Sequence, residues 1–579
     1  MTDDMFDPRE ETAEILAERL GLERARVREM LETPRDLSFG DLAFPCFALA
    51  KVMRRNPQEI AGELAGGVEE KGRAAGFVER AEARGAYVNV TFDVGATFPA
   101  LLEGVRDGAF FEAVARSGEG RRVMVEHSQP NTHKTFHVGH LRNVCIGDCL
   151  VRVLRHNGHD VIAANYIGDT GAHVAKWIWY MLESGETLPE HDRVAWIGRL
   201  YEEATATIEE APDGERERLK KRVAEVQRRL EGGDEELTQV WRWTREVCLA
   251  EFSRIYEWLG VEFDTVFYES EVEQTGKEVV ERNLERGVFE RSEGAVIADL
   301  EDRDLGAFLV LKSDGSTLYS TKDLALATRK FDEWSIQDSC YVVASEQSYY
   351  FRQLFATLEL MGYENARDCR HVSYELVVLP SGKMSSRRGN VVPFDELKGR
   401  IVARVVDDYM GGHEGWSAEH RRETAERIAV AALKYGMLSQ DNNKTVVFDL
   451  DRWLEVEGDT GVYLLYSYVR MAGIFRKAGG HEPAAADGSR LTHETERELV
   501  TRLYGYHAVM RGVERSLDPS RLAHYLRDLA KAFSRFYHAC PVISEDRELM
   551  DARLALVSCV QRVMCRGLEL MGIETVEEM

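Results

Sequence analysis

Long apolar runs are missing from this sequence: no stretch reaches the roughly 18–20 residues a membrane-spanning helix needs, so no membrane partner is expected. The opening MTDDMFDPREETAEIL is acidic and lacks a positive segment followed by an apolar one, so a signal peptide is not expected and a cytoplasmic location is. The nine cysteines (46, 145, 149, 248, 340, 369, 540, 559 and 565) include no Cys-x-x-Cys pair. They read as reduced, mostly buried thiols, and no structural zinc is expected. Internal repeats and low-complexity segments are absent too. So is any excess of positive charge: the formal net charge is −26, which at first sight argues against a nucleic-acid partner, because phosphates need cations.

The charge is unevenly spread. Residues 451–579 hold 17 Lys/Arg against 20 Asp/Glu, and residues 501–540 hold Arg502, Arg511, Arg515, Arg521, Arg527, Lys531 and Arg535 against only Glu514, Asp518 and Asp528. An acidic body with a locally basic helical stretch is compatible with an RNA partner, and equally with simple solubility. Arg527 and Lys531, one helical turn apart, share a face and are the candidate RNA contacts.

At 579 residues the chain is long enough for several domains. Residues 1–115 read as a small α+β unit ending in the strand-like GAYVNVTFD, and RSGEGRR (116–122) as a linker. In 116–185, the strand candidate VMVEHSQP runs into NTHKTFHVGH and a helix whose Leu141, Cys145, Cys149 and Val153 repeat every four residues, an apolar stripe facing a sheet. DVIAANYIGD is a second strand. Strand, loop, helix, strand opens a doubly wound α/β sheet, whose ligands sit at the carboxyl ends of the strands. Residues 186–294 are strongly charged and read as a helical insertion. Over 295–394 the sheet pattern resumes with AVIADL, AFLVL and SCYVVAS and ends on LPSGKMSSRRGN. Residues 395–454 and 455–579 read as nearly all helix.

Two constellations carry chemistry. His137-Val138-Gly139-His140 lies between a strand and a helix. Backbone N–H groups at a helix start bind anions, glycine permits close approach of a nucleotide, and two histidines can donate to a phosphate as charge develops. Lys383-Met384-Ser385-Ser386-Arg387 follows the turn Pro380-Ser381-Gly382, and a glycine-flanked loop with a lysine and hydroxyls can close over a polyphosphate. Alone, the first reads as a turn and the second as a solvated basic loop. Together, in this order, they resemble the signature pair of class I aminoacyl-tRNA synthetases.

The resemblance sharpens to one family within that class. Ser128-Gln129-Pro130-Asn131-Thr132-His133-Lys134-Thr135-Phe136-His137-Val138-Gly139-His140-Leu141-Arg142 is similar to the extended arginyl-tRNA synthetase motif. Asn165-Tyr166-Ile167-Gly168-Asp169-Thr170-Gly171 resembles its second sheet motif, and Tyr319-Ser320-Thr321-Lys322-Asp323 with Val343-Ala344-Ser345-Glu346-Gln347 its amino-acid pocket. Residues 1–115 resemble its tRNA-elbow domain, and 455–579, from Asp459-Thr460-Gly461 through Tyr466 and Arg470 to Gly572-Ile573, its anticodon-binding domain.

This likeness implies a Rossmann-like catalytic domain with an insertion, a small α+β N-terminal domain and an all-helical C-terminal domain. It implies a monomeric enzyme, in the family's manner, that uses ATP with Mg2+, L-arginine and tRNA(Arg), with tRNA bound before arginine is activated. His137, His140 and Lys383 become catalytic residues, and Gly139, Met384 and Ser385 join them around ATP. Arginine falls to Glu126, Ser128, Asn131, Tyr319, Asp323 and Gln347. A guanidinium wants carboxylates in its plane, and Tyr319 and Asp323, four apart, share a helix face. Three positions depart from the family: Ser386 where a lysine is common, Thr170 where a tryptophan is, and Gln129 for a serine. Members without that lysine use the one between the asparagine and the first histidine, here Lys134. Cysteinyl-tRNA synthetase shares a related helical C-terminal domain but has a zinc-ligand cysteine shortly before its histidine motif, and Arg121–Phe136 holds none. A non-catalytic tRNA-binding paralogue is the other alternative.

Overall fold

The computed structural model describes residues 5–34, 36–115, 120–380, 382–383, 392–412 and 415–579. Residues 5–115 pack helices against a three-stranded antiparallel sheet ordered Leu42–Pro45, Tyr87–Phe92, Val78–Arg84. The first helix, Pro8–Leu20, is delimited by local chemistry. Asp7 accepts a hydrogen bond from the Arg9 N–H at 2.9 Å, Pro8 occupies the first turn, and Gly21 closes the end at φ 62°.

The centre is a five-stranded sheet of β1 (Arg122–Glu126), β2 (Asp160–Ile167), β3 (Thr265–Tyr268), β4 (Asp338–Ala344) and β5 (Arg370–Tyr374). The order is β5-β4-β1-β2-β3 and every neighbouring pair is parallel. Strand order reverses between β1 and β4, so the crevice for ligands opens at their carboxyl ends. Helix α1 (Val138–His156) follows β1. Its Leu141, Cys145, Cys149 and Val153 are all at most 1 % exposed. So are Val144, Ile146 and Leu150, because C-terminal helices cover the face turned away from the sheet.

Two expectations about the middle of the chain change. The segment 186–294 is not one helical insertion. After helices Arg193–Glu209, Asp213–Glu231 and Glu235–Leu259 the chain re-enters the sheet as β3, pairing Ala164 with Thr265 through Ile167 with Tyr268. Four residues between charged helices are too short for a periodic signal. Conversely, Ala295–Asp299 and Ala307–Leu311 do not resume the parallel sheet but form a separate antiparallel one with Glu290–Ser292. The first hairpin is set by the two-residue turn Glu293-Gly294, with φ 50° and 85°. Two left-handed residues make the tight hairpin turn that forces antiparallel pairing.

Helices α2 (Glu269–Glu285), α3 (Tyr319–Trp334) and α4 (Ser348–Met361) cover one side of the sheet. Past the second motif the chain is largely helical, through Phe394–Tyr409 and α5 (Ala418–Leu438) to a bundle containing α6 (Ser520–Ala539). The helical expectation for 395–454 is broken by Val446–Val447, a short strand parallel to Val377–Leu379.

Candidate active site

The first signature sits at the start of α1. His137 is the N-cap: its Nδ1 accepts from the Gly139 N–H at 3.1 Å, and the His140 Nδ1 accepts from the His137 N–H at 3.2 Å. Both Nδ1 atoms therefore act as acceptors, which places the ring proton of each neutral histidine on Nε2. Burial lowers the His137 pKa to about 4 and holds that of His140 well below the ordinary value. At neutral pH the motif presents two uncharged N–H donors, 4.0 Å between ring centres, beside a helix N-terminus. That set suits a phosphate oxygen whose charge develops during reaction.

The second signature is tied to the first. Gly382–Lys383 pairs antiparallel with Val378 and Leu379. On the far side of the lysine loop, the Val138 N–H donates to Val392 O at 3.3 Å and the Phe394 N–H to Phe136 O at 3.0 Å. The chain thus leaves from one strand and returns against the histidine motif. Met384, Ser385, Ser386 and Arg387, and the Lys383 side chain, lie outside the described residues. Lys134 lies close enough to His140 for its charge to disfavour protonation of that ring, and its ammonium is 5.9 Å from the Tyr201 ring centre.

Beside this lies a cavity of about 310 Å³ at the β1–β4 switch point, lined in part by Glu126, Gln129, Asn131, Tyr319, Asp323 and Gln347. Its charges nearly cancel. Buried Glu126 pairs with Lys330, itself wholly buried, and accepts from Gln129 Nε2 at 2.9 Å. Buried Glu269 pairs with Lys322 at 3.0 Å, and Lys322 also reaches Glu273, which does not line the cavity, at 3.7 Å. Among the described residues Asp323 receives a single side-chain hydrogen bond, from the Tyr350 hydroxyl, and no ion pair. Burial, with Glu126 and Glu269 nearby and against the pull of that hydroxyl, pushes the Asp323 carboxyl up to about 7. One acid without a counter-ion in a cavity otherwise balanced is a site for one cation. Among the described residues no cysteine lines the cavity.

The structure does not bring Ser128 into this cavity. Its hydroxyl lies 2.7 Å from the Tyr256 hydroxyl and the residue is buried in the loop after β1. That loop is strained. Among the described residues nine non-glycine residues have positive φ, and Ser128, Gln129 and His133 are three of them, each costing on the order of 1–3 kcal/mol. Asn143 and Asn165 hold it, accepting from the Ser128 and Gln129 N–H groups. Sequence reasoning missed Asn143, Lys330, Tyr350 and Glu269 as parts of the site. The only available signal was a polar residue at a buried helix position, as with Asn143 on α1.

The basic stretch is mostly engaged within the protein. Arg511 pairs with Glu10 and Arg515 with Glu29 of the N-terminal unit, and Arg502 and Arg535 share Glu498. Arg527 pairs with Asp459 at 3.2 Å and with Asp528 at 3.0 Å. Lys531 is exposed and lines an open groove with Tyr463, His493 and Arg535.

A parallel sheet with the histidine motif after its first strand and the lysine loop tethered to it defines a class I aminoacyl-tRNA synthetase catalytic domain. Residues 109–450 match the family model described as the catalytic domain of class I (R) tRNA synthetases. Residues 9–92 match that of the arginyl tRNA synthetase N-terminal domain, and 464–579 that of the DALR anticodon binding domain. The arginine–tRNA ligase of Bdellovibrio bacteriovorus is 38 % identical over 557 residues, covering 96 % of this chain and 94 % of that one. That of Clostridium perfringens is 35 % identical, covering 99 % and 100 %. The solved arginyl-tRNA synthetase of Thermus thermophilus superposes with a TM-score of 0.81 at 27 % identity, over 98 % of this chain and 99 % of that one. The chain belongs to the arginyl-tRNA synthetase family. Among the described residues no helix is long and apolar enough to cross a membrane.

Proposed function

We infer that this chain is an arginine–tRNA ligase that selects its amino acid through a single uncompensated carboxylate, Asp323. The observation carrying this reading is the cavity's charge balance: Lys330 and Lys322 occupy Glu126 and Glu269, leaving one negative group for one guanidinium. Tyr319 packs beside the guanidinium, while Glu126, Gln129, Asn131 and Gln347 face the backbone end of the substrate.

In the first step an oxygen of the arginine carboxylate attacks the α-phosphorus of ATP. The bond to the bridging oxygen breaks, and pyrophosphate leaves with its electron pair. His137 and His140 donate from Nε2 to the phosphate oxygens, and the Gly139 backbone lets the nucleotide approach. Lys383 with Met384 and Ser385 of its loop, and Lys134 in place of the lysine missing at Ser386, hold the departing pyrophosphate. Mg2+ enters with the phosphates of ATP as part of that substrate. In the second step a ribose hydroxyl of the tRNA's terminal adenosine, the 2′ one by class, attacks the arginyl carbonyl and AMP leaves.

The motifs and the cavity are complete within one chain, which favours action as a monomer, and the described cysteines, eight of them buried, suit the cytoplasm. Lys531 is the stronger RNA contact; Arg527 must first release Asp459 and Asp528. The test is pyrophosphate exchange with each of the twenty amino acids, with and without tRNA(Arg). Exchange with arginine alone, dependent on tRNA, supports the reading; exchange with another amino acid, or none at all, overturns it.

A further inference from the structure

The segment Ser439–Lys444, between α5 and the short strand Val446–Val447, is grasped from three directions. From the signature helix, the wholly buried Arg142 donates to three backbone carbonyls: Glu375 at 2.5 Å, Lys444 at 2.6 Å and Asp441 at 3.0 Å. From the strand leading to the lysine loop, the Glu375 N–H donates to Asn442 O at 2.8 Å and the Phe448 N–H to Val378 O at 2.8 Å. Val377 and Val378 pair with Val446 and Val447, and Val378 and Leu379 pair in turn with Lys383 and Gly382. From the C-terminal bundle, Asn442 Nδ2 donates to Leu517 O at 2.9 Å, Ser520 Oγ to Asp441 Oδ1 at 3.2 Å, and His524 Nε2 lies 2.9 Å from Ser439 O.

The arrangement is costly for mere packing. Among the described residues Arg142 has no ion pair with a carboxylate, its Nε has no acceptor, and burial lowers its pKa to about 10. A buried guanidinium without a carboxylate is retained where its planar fork fixes several acceptors at once. Here the acceptors belong to two chain segments whose common consequence is the origin of the lysine loop.

We propose that Ser439–Lys444, clasped by Arg142, is a joint through which the position of α6 and the Leu517 turn sets the place of Lys383 relative to His137 and His140. Arg142 and Asn442 are positioning residues: neither lines the cavity, and each bonds the backbone of Glu375, which leads into the strand Val377–Leu379 that pairs with Gly382–Lys383. The inference rests on the proposed ligase reading, since it concerns how a partner bound to the C-terminal bundle bears on the placement of that site's residues. It supplies a continuous set of hydrogen bonds for such coupling, and coupling needs a measured effect to be accepted.

The experiment uses the full-length protein with tRNA(Arg), arginine and ATP. Asn442→Ala cuts the bond to Leu517 and leaves the Arg142 clasp; Arg142→Lys keeps the charge but cannot span three carbonyls. Both should lower kcat of tRNA-supported pyrophosphate exchange by roughly ten- to a hundredfold, the scale of an ångström-sized misplacement. Arginine KM and tRNA Kd should stay unchanged. If Arg142→Lys does not fold, Asn442→Ala decides alone. Unchanged kcat in Asn442→Ala, or tRNA Kd or arginine KM worsening in step with it, overturns the joint. A wild-type protein without arginine-dependent exchange sinks the ligase reading instead, so the two failures are distinguishable.

Discussion

The amino-acid cavity and the phosphate-handling motif lie side by side and meet charge in opposite ways. The cavity gathers ionisable groups, three carboxylates and two lysines, and among the described residues both lysines pair with glutamates while Asp323 has no ion pair. The phosphate motif uses almost none, since burial keeps His137 and His140 neutral and their backbone hydrogen bonds leave each Nε2 free to donate. A fixed cation such as a guanidinium is best recognised by a standing negative charge, which rejects neutral isosteres because they leave the acid buried and unpaired. A reacting phosphate, whose charge changes along the reaction, is better met by preorganised dipoles that favour the transition state over bound ATP.

Removing the standing charge should do the most damage. Asp323→Asn keeps the shape and is expected to lower kcat/KM for arginine by roughly 30- to 5,000-fold, corresponding to ~2–5 kcal/mol for a broken buried charge pair, with ATP KM unchanged. An equal rise in both KM values would show that the cavity is not separate from the nucleotide site. The same substitution should raise the melting temperature of the arginine-free protein at pH 8. The folded-state pKa of Asp323, about 7, lies above its ordinary value of 3.8. The carboxyl therefore destabilises the fold progressively as pH rises from 3.8 through 7, and the amide does not.

On the other side of the comparison, His140→Ala should lower the activation rate by about 10²–10³, as for loss of one oxyanion-type donor, while tRNA affinity holds. Unimpaired exchange would remove His140 from the reaction.

The two regions should also separate by pH. Arginine favours the ionised form of Asp323, so below pH 7 its binding must expel a proton, and arginine KM should rise about tenfold per pH unit there and level off above. ATP KM should stay flat between pH 6 and 8, because His137 titrates near 4 and is neutral throughout. Steady-state kinetics across that range read both; a common titration in the two KM values would contradict the contrast.

The smallest effect concerns RNA. Lys531→Ala should flatten the salt dependence of tRNA affinity by roughly 0.7–0.9 log units per log salt, one phosphate contact. Arg527→Ala should change it less, since Asp459 and Asp528 already occupy that cation. A larger change from Arg527 would reverse the assignment.

The difference between the regions also explains what could be read in the sequence. His137 to His140 is a contiguous stretch whose hydrogen bonding is local, so its place between a strand and a helix was legible. The cavity is assembled from β1, α2, α3 and α4. Asp323 and Tyr319 were legible because a helix face joins them, but Lys330, Tyr350 and Glu269 gain meaning only when α2, α3 and α4 pack together. Long-range pairing likewise hid the fate of the basic stretch: Glu10, Glu29 and Asp459, which neutralise Arg511, Arg515 and Arg527, lie tens to hundreds of residues away. The fold shows the same limit. The stripe on α1 was periodic and visible, whereas β3 is four residues long and was masked by the charged helices before it.

The claim at the centre of this account, that one uncompensated carboxylate chooses the amino acid, is tested most directly by comparing arginine with citrulline, its uncharged isostere, in tRNA-supported pyrophosphate exchange by the wild-type protein and by Asp323→Asn. The account predicts exchange with arginine and essentially none with citrulline for the wild type, and a loss of that preference in the variant. Citrulline used as well as arginine by the wild-type protein would contradict it.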